Sequence, residues 1–418
     1  MYSSRILLNQ TQIEAINWKN YGRNETGLCD LSRNDLLISI SALKDLFHLE
    51  NLDQEPRYTR EGIRYGKAFY NALKTKILDS LPGGTDSRDN LMVSPQHAVA
   101  VKNGQIRLYP TMAGSYRDNE IGELDRFAVS ILKLGEPVLL YCIDKSGLWC
   151  FIRTAQVYGW VFRDFLALEP DEIRWQQYCN NREYAVTADS RKKLNYIDFN
   201  GRRQIQTLWM GTRLPLYDIT EQNLLLGIPA RDKRGNLVFQ QILTKRDGGL
   251  IPGTMPMSAQ NIISQAKKML GEPYGWGGSG FRRDCTSFAA DVYAVFGLLL
   301  PRNSSEQLQM YGIEHSPMEA GMKKEFLAGL TPGSLLYCEG HVMLYLGEEA
   351  GQMQMLHNTY AIGIPANDRL IPHKIRRVVQ GTLSQHRVGG ETFFDAVNAI
   401  WAPDHQKRFL LCGWSSGE

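Results

Sequence analysis

Cys285, His341 and His357 are the residues of this sequence whose types and order suit a chemical step. Cys285 follows Asp284 and opens the apolar run Phe288 to Leu299, which reads as a helix. Unpaired N–H groups and the dipole at a helix N-terminus favour a thiolate there, and such placement lowers the pKa from the ~8.5 of a free thiol. A thiolate attacks an acyl carbon. It needs a neighbouring imidazole to take its proton and later to protonate a leaving amine. His341 opens the run Val342 to Gly347, and His357 ends the run Met353 to Leu356. As adjacent antiparallel strands, these runs bring the two rings within hydrogen-bond reach, His341 as base and His357 as its orienting partner. Each of the three alone is an ordinary buried residue; their order carries the reading. Cys338-Glu339-Gly340-His341 also has the spacing of a zinc half-site. The remaining ligand types, Cys285, His357 and His373, are scattered, so neither a metal nor another cofactor is expected.

These residues need a helix and a sheet to hold them. Ser258 to Leu270 reads as a helix with Ile262, Ile263, Ala266 and Leu270 on one face, stopped by Gly271 and Pro273. The glycine-rich loop Tyr274 to Gly280 follows, then the nucleophile helix. Ser334 to Tyr337, Val342 to Leu346 and Met353 to Leu356 alternate as an antiparallel sheet does. The fold class is therefore α+β, multidomain, with the helix first. Upstream, Thr11 to Leu81 is helical in pattern, with helices over Asn34 to Leu49 and Gly66 to Leu81, and Pro82 to Ser87 is a loop. Two β-rich stretches follow, Asn90 to Leu168 and Tyr184 to Leu243. Gly135-Glu136-Pro137-Val138-Leu139-Leu140-Tyr141 in the first echoes Gly211-Thr212-Arg213-Leu214-Pro215-Leu216-Tyr217 in the second. Two small β-barrels in tandem are expected, with Trp149 and Trp160 in barrel cores. The division is 1–88 helical, 89–169 first barrel, 170–250 second barrel and 251–418 catalytic.

Composition narrows the class. The 418 residues are 43% apolar, 22% charged and 10% aromatic, the profile of a folded chain of several domains. The 47 basic and 44 acidic side chains leave a net charge of +3 without any Lys/Arg block, so no nucleic-acid partner is expected. The longest apolar run, Val295 to Leu300, is far short of the ~20 residues of a membrane span. Seven cysteines at irregular spacing do not form a disulfide framework. The start lacks a secretory apolar segment. Either the protein stays inside the cell, or the chain begins after a removed leader and acts in the cell envelope.

The succession Gly271-Glu272-Pro273-Tyr274-Gly275-Trp276-Gly277-Gly278, Arg283-Asp284-Cys285-Thr286-Ser287-Phe288, Leu300-Pro301-Arg302-Asn303-Ser304-Ser305-Glu306-Gln307, Pro332-Gly333-Ser334-Leu335 and Gly340-His341-Val342-Met343-Leu344-Tyr345-Leu346-Gly347, with His357 after it, resembles the NlpC/p60 family of papain-like cysteine peptidases, which cut bacterial cell-wall peptides. The resemblance covers about Ser258 to His373. The upstream regions are similar to the helical N-terminal domain and paired bacterial SH3-like barrels of some members. It implies a Cys-His-His triad of Cys285, His341 and His357. It also implies cleavage between γ-D-glutamate and a diamino acid in stem peptides with a free N-terminal L-alanine, the amine being held by Asp284. Tyr274, Trp276, Thr286 and Ser304 are the further substrate contacts it implies, and Tyr158 and Asp125 of the first barrel are candidates for a wall narrowing the cleft. Where the family commonly has Asp-Cys-Ser-Gly, this chain has Asp284-Cys285-Thr286-Ser287, so a side chain stands in place of glycine. The alternatives are an amidase or acyltransferase on the same fold, and a non-catalytic wall-binding protein.

Overall fold

The computed structural model describes residues 2–33, 36–199, 201–315, 320–366 and 369–404. In the N-terminal region, helices form at Gln10–Tyr21, Ile40–Leu46 and Lys67–Leu78. The helix expected from Asn34 is shorter than its apolar pattern. Ser39 accepts from the Ala42 N–H and so fixes the start at Ile40, while Asn34 itself lies outside the described residues. The strand Ile6–Leu8 pairs with Met257–Ser258, and Ile13 and Ile16 of the first helix are buried in the core around Cys285. The beginning of the chain thus packs with its C-terminal part.

A seven-stranded antiparallel sheet follows. Its order is Leu166–Leu168, Gln96–Ala100, Pro137–Ile143, Trp149–Arg153, Tyr158–Phe162, Gly104–Arg107 and Ala128–Leu132. One face carries an aliphatic core of Ala98, Ile106, Val138, Ile152 and Val161. Trp149 and Trp160 point elsewhere: they pack in a separate cluster with Phe47, Leu73 and Ile77 of the N-terminal helices. Phe47 meets Phe151 edge-on at 4.9 Å between ring centroids. Trp149 and Trp160 therefore join helices to sheet instead of filling the sheet's own interior. Alternation decides this, since Cys150, Ile152 and Val161 occupy the inner face.

A second sheet has the order Leu237–Lys245, Asn223–Arg231, Arg213–Ile219, Tyr184–Thr187 and Leu250–Pro252, with a separate hairpin of Arg191–Ile197 and Arg203–Trp209. The echoed segments occupy matching places. Gly135 and Gly211, at φ of 80° and 79°, each turn the chain just before a strand, Pro137–Ile143 or Arg213–Ile219.

The C-terminal region packs the helices Ala259–Lys267 and Cys285–Ala294 against a six-stranded antiparallel sheet. Its order is Glu314–His315, Ala399–Trp401, Leu335–Cys338, His341–Glu349, Gln352–Ala366 and Arg369–Thr382. The last two strands run well past the alternating segment that the sequence displays, pairing from Gln354 with Thr382 to Ala366 with Arg369. No helix among the described residues is long and apolar enough to cross a membrane.

Candidate active site

The nucleophile helix begins at Cys285 because Asp284 caps it. Asp284 Oδ1 accepts from the Ser287 N–H at 3.0 Å, and Ser287 Oγ accepts from the Asp284 N–H at 2.9 Å. This reciprocal cap accounts for the serine where the family has glycine: its hydroxyl is used within the helix turn. Asp284 is buried and accepts further bonds from the Gly277 N–H, the Thr286 hydroxyl and both terminal nitrogens of Arg302, at 2.6 and 3.2 Å. Burial alone would raise its pKa; the Arg302 guanidinium and the Ser287 bonds outweigh that and hold it below the usual carboxylate value. Asp284, expected to hold a substrate amine, is engaged within the fold. Its charge is already matched by Arg302. Thr286 is likewise committed, donating to Asp284 and accepting from Arg302 at 2.7 Å.

Across from the helix, the two-residue turn Glu339-Gly340, with Gly340 at φ 67°, delivers His341 to the start of its strand. His341 Nε2 lies 2.9 Å from His357 Nδ1, and His357 is fully buried with its ring perpendicular to Phe393. Cys285, Tyr274 and His341 line one cavity of about 230 Å³, together with Glu339, Thr359, Arg387 and Phe393. The Val342 N–H, next in chain to His341, acts on the thiol in the direction of a lower pKa. Burial first, then the Asp284 charge, pushes the Cys285 thiol up to about 12. Burial first, then Arg387, pushes His341 down to about 4, and burial with the His341 neighbour takes His357 well below the ordinary value. At neutral pH the site therefore holds a thiol and two neutral imidazoles.

Several expected residues lie elsewhere. Trp276, 38% exposed, sits under the Arg126 guanidinium at 4.2 Å, at the junction of the glycine loop with the first sheet. Asp125 is not a cleft wall. It is buried, paired with Arg107 at 3.0 Å and bonded to the Ser115 and Phe127 N–H groups, so it braces a turn. Tyr158 stacks on Phe151 and bonds Arg153. It lines a separate cavity of about 540 Å³ with His48, Asn303 and Glu306, not the cavity of Cys285. The cause is again alternation: at the start of its strand Tyr158 faces the helical side, like Trp160. Ser304 opens the short helix Ser304–Gln307 and does not line the Cys285 cavity. Cys338 is buried among Leu336, Met343 and Phe393, its thiol raised to about 11 by burial, and among the described residues no cluster of three or more His, Cys, Asp or Glu could hold a metal.

Three residues at the site were not singled out from sequence. Arg302 holds Asp284; the signal was an arginine inside an otherwise apolar entry to a helix. Asn358 donates to the Arg283 carbonyl at 2.7 Å and ties the strand of His357 to the residue before the cap. Arg387 stands on the cavity wall from a loop with no regular pattern.

Residues 271–377 match the model of the NlpC/P60 family, and residues 116–162 match an SH3 domain of the SH3b1 type. The chain carries an NlpC/P60 domain. The chain is 31% identical to a gamma-D-glutamyl-L-lysine dipeptidyl-peptidase of Bacillus cereus over 227 residues, 51% of this chain and 63% of that protein. The protein of the same name from Bacillus subtilis is 28% identical over 150 residues, 35% of this chain and 46% of that one. The chain thus spans less than two thirds of the length of these relatives. An NlpC/P60 endopeptidase from Photobacterium damselae subsp. piscicida superposes with a TM-score of 0.76 over 96% of this chain and 94% of that one, at 17% identity, which shows a shared fold. The triad candidates Cys285, His341 and His357 all fall inside the NlpC/P60 match, whereas Arg387 and Phe393 lie beyond it.

Proposed function

We propose that the protein is a cysteine peptidase that hydrolyses the bond between γ-D-glutamate and a diamino acid in cell-wall stem peptides. One observation carries the reading: a thiol at the first position of a capped helix shares a small cavity with an imidazole whose far nitrogen is 2.9 Å from a second, buried imidazole.

In this mechanism His341 Nε2–H donates to His357 Nδ1, which leaves His341 Nδ1 as the basic nitrogen. The remaining His357 proton then sits on Nε2, which is buried beside Phe393 without a hydrogen-bond partner among the described residues. The neutral resting pair makes proton transfer part of the attack. Cys285 gives its proton to His341 as the sulfur–carbon bond forms. The tetrahedral oxyanion is received by the Cys285 N–H at the helix start and by the Tyr274 hydroxyl, which burial keeps protonated. His341 returns the proton to the leaving amine as the carbon–nitrogen bond breaks, and water then hydrolyses the thioester with His341 again as base. The names of the two Bacillus relatives, dipeptidyl-peptidases, support release of a dipeptide from a free amino terminus, here L-Ala-γ-D-Glu.

The test is incubation with L-Ala-γ-D-Glu-diaminopimelate. The expected product is L-Ala-D-Glu, with none from Cys285→Ala. An intact peptide with the wild type, or equal turnover by Cys285→Ala, overturns the reading.

A further inference from the structure

The family match ends at residue 377, yet the cavity of Cys285 is closed on one side by the later residues Arg387, Val388, Gly389 and Phe393. This side has a chemical meaning under the proposed mechanism, on which the inference rests. His341 protonates the departing amine, so the leaving amino acid lies against the His341 wall. Around His341 that wall is Glu339, Gly340, Arg387 and Phe393.

Among the described residues, Arg387 is the one Lys or Arg lining this cavity. Its loop is held by backbone bonds from Gly363 N–H to the His386 carbonyl at 2.9 Å, from Arg387 N–H to the Glu391 carbonyl at 2.8 Å and from Phe393 N–H to the Gln385 carbonyl at 2.9 Å. The guanidinium donates to Glu391 Oε1 at 2.6 Å and to the Glu339 carbonyl at 2.7 Å. A guanidinium has five N–H donors in a planar fork, so these two bonds fix its orientation and leave donors for a ligand. Its positive field reaches the His341 ring, where it disfavours protonation. Glu391 pairs with its charge, and a guanidinium fixed in this way on the cavity wall, with donors left over, suits one chemistry on a leaving group beside it, a carboxylate.

We infer that Arg387 binds a carboxylate of the leaving amino acid and so sets which stem peptides are cleaved. Two carboxylates have this chemistry. One is the α-carboxylate of a peptide that ends at the diamino acid. The other is the side-chain carboxylate that diaminopimelate has and lysine lacks. A peptide without either presents only neutral or cationic groups to the arginine.

The experiment measures kcat/KM for three peptides with the wild type and with Arg387→Gln. They are L-Ala-γ-D-Glu-L-Lys, its carboxy-terminal amide, and L-Ala-γ-D-Glu-diaminopimelate amidated at the same α-carboxyl. If the α-carboxylate is read, the wild type prefers the lysine acid over both amides by about tenfold or more, the scale of one charge-assisted hydrogen bond. If the side-chain carboxylate is read, the diaminopimelate amide exceeds the lysine amide by a similar factor. Either preference collapses towards unity in Arg387→Gln. Because each ratio is taken within one protein, loss of folded fraction in the variant cancels. Ratios unchanged by Arg387→Gln, or no preference in the wild type, overturn the inference while the peptidase reading stands. Failure of the peptidase reading shows differently, as no product from any of the three.

Discussion

Two buried arginines flank the nucleophile, and each ties it to a different sheet. Arg302 pairs with Asp284, accepts nothing itself, and donates through Nε to Ser130 Oγ of the first sheet at 3.1 Å. Arg283 pairs with Asp291 and Glu272, both at 2.7 Å, and donates to the Ser190 carbonyl at 2.9 Å, beside the second sheet. The first sheet also grips the glycine loop, where Gln105 donates to the Gly277 carbonyl, and Glu123, in the turn before its last strand, pairs with Lys374 and Arg376 of the strand Arg369–Thr382. The second meets the far end of the helix, where Gly211 packs on Ala294. The front anchor sets the geometry of the cap and loop; the rear anchor carries the helix as a body. Damage to the first should therefore appear in catalysis, and damage to the second in stability.

Arg302→Leu is the largest break. It leaves Asp284 buried with no cation, which costs roughly 3–5 kcal/mol when one partner of a buried pair is removed. Since a shift of ~1 Å in a reacting group can cost ~10²-fold in rate, residual folded protein should lose activity as well. Denaturant midpoints and kcat/KM measured on the same preparations check both. Arg283→Leu should cost less, because Asp291 keeps Lys133 and Glu272 keeps Arg191 as counter-charges. An equal stability loss in the two variants would remove the distinction.

Glycines give a cleaner contrast, without any charge. At Gly277, φ 58°, an added Cβ would overlap the Ala128 carbonyl of the first sheet; at Gly211, φ 79°, it would overlap the Ala294 side chain. Both alanine variants should lose roughly 1–3 kcal/mol from crowding. Gly277→Ala displaces the loop that donates to Asp284 and should lower kcat/KM several-fold more than Gly211→Ala does.

What the sequence made legible follows the same line. The helix of Cys285 was readable from an acidic cap before an apolar run, the histidines from strand alternation, and the two sheets from the echo at Gly135 and Gly211. All are patterns within a short stretch of chain. The arginines were not, because their partners are distant in sequence: Ser130 for Arg302, Ser190 for Arg283. Asp125 misled for the matching reason. A carboxylate in a turn looks available until Arg107 is folded onto it. Arg387 carried no local pattern at all.

Acid separates the front anchor from the imidazoles. The His341 pKa falls from 6.5 unfolded to about 4 folded, chiefly through burial. The unfolded chain thus binds the extra proton, so this stability is complete above pH 6.5 and is lost as pH falls towards 4. Asp284 is also depressed, so its contribution is present above the unfolded value of 3.8 and is lost only below it. The melting temperature should therefore decline in two steps on acidification. His341→Gln should shrink the step between pH 6.5 and 4, which buried His357 shares, and leave the lower one, whereas Arg302→Leu should remove the lower one. A single step insensitive to His341→Gln would mean that the ring is protonated at little cost in the folded protein.

The smallest expected effect is the sharpest, since it removes one hydroxyl from each side. Ser130 accepts from Arg302 Nε, and Ser190 Oγ accepts from Arg283 Nη1 at 3.2 Å while bonding Glu272. Alanine removes one side-chain bond at Ser130 and two at Ser190, each worth roughly 0.5–1.5 kcal/mol, while both ion pairs remain. Arg302 keeps its two bonds to Asp284 and one to Thr286, so Ser130→Ala should barely change the melting temperature yet allow the cap to shift, visible as a lower kcat with KM little altered. Ser190→Ala should do the reverse, lowering the melting temperature slightly with kcat unchanged, because the second sheet holds the helix without touching the cavity. Matching responses from the two hydroxyls would show that front and rear act as one rigid body.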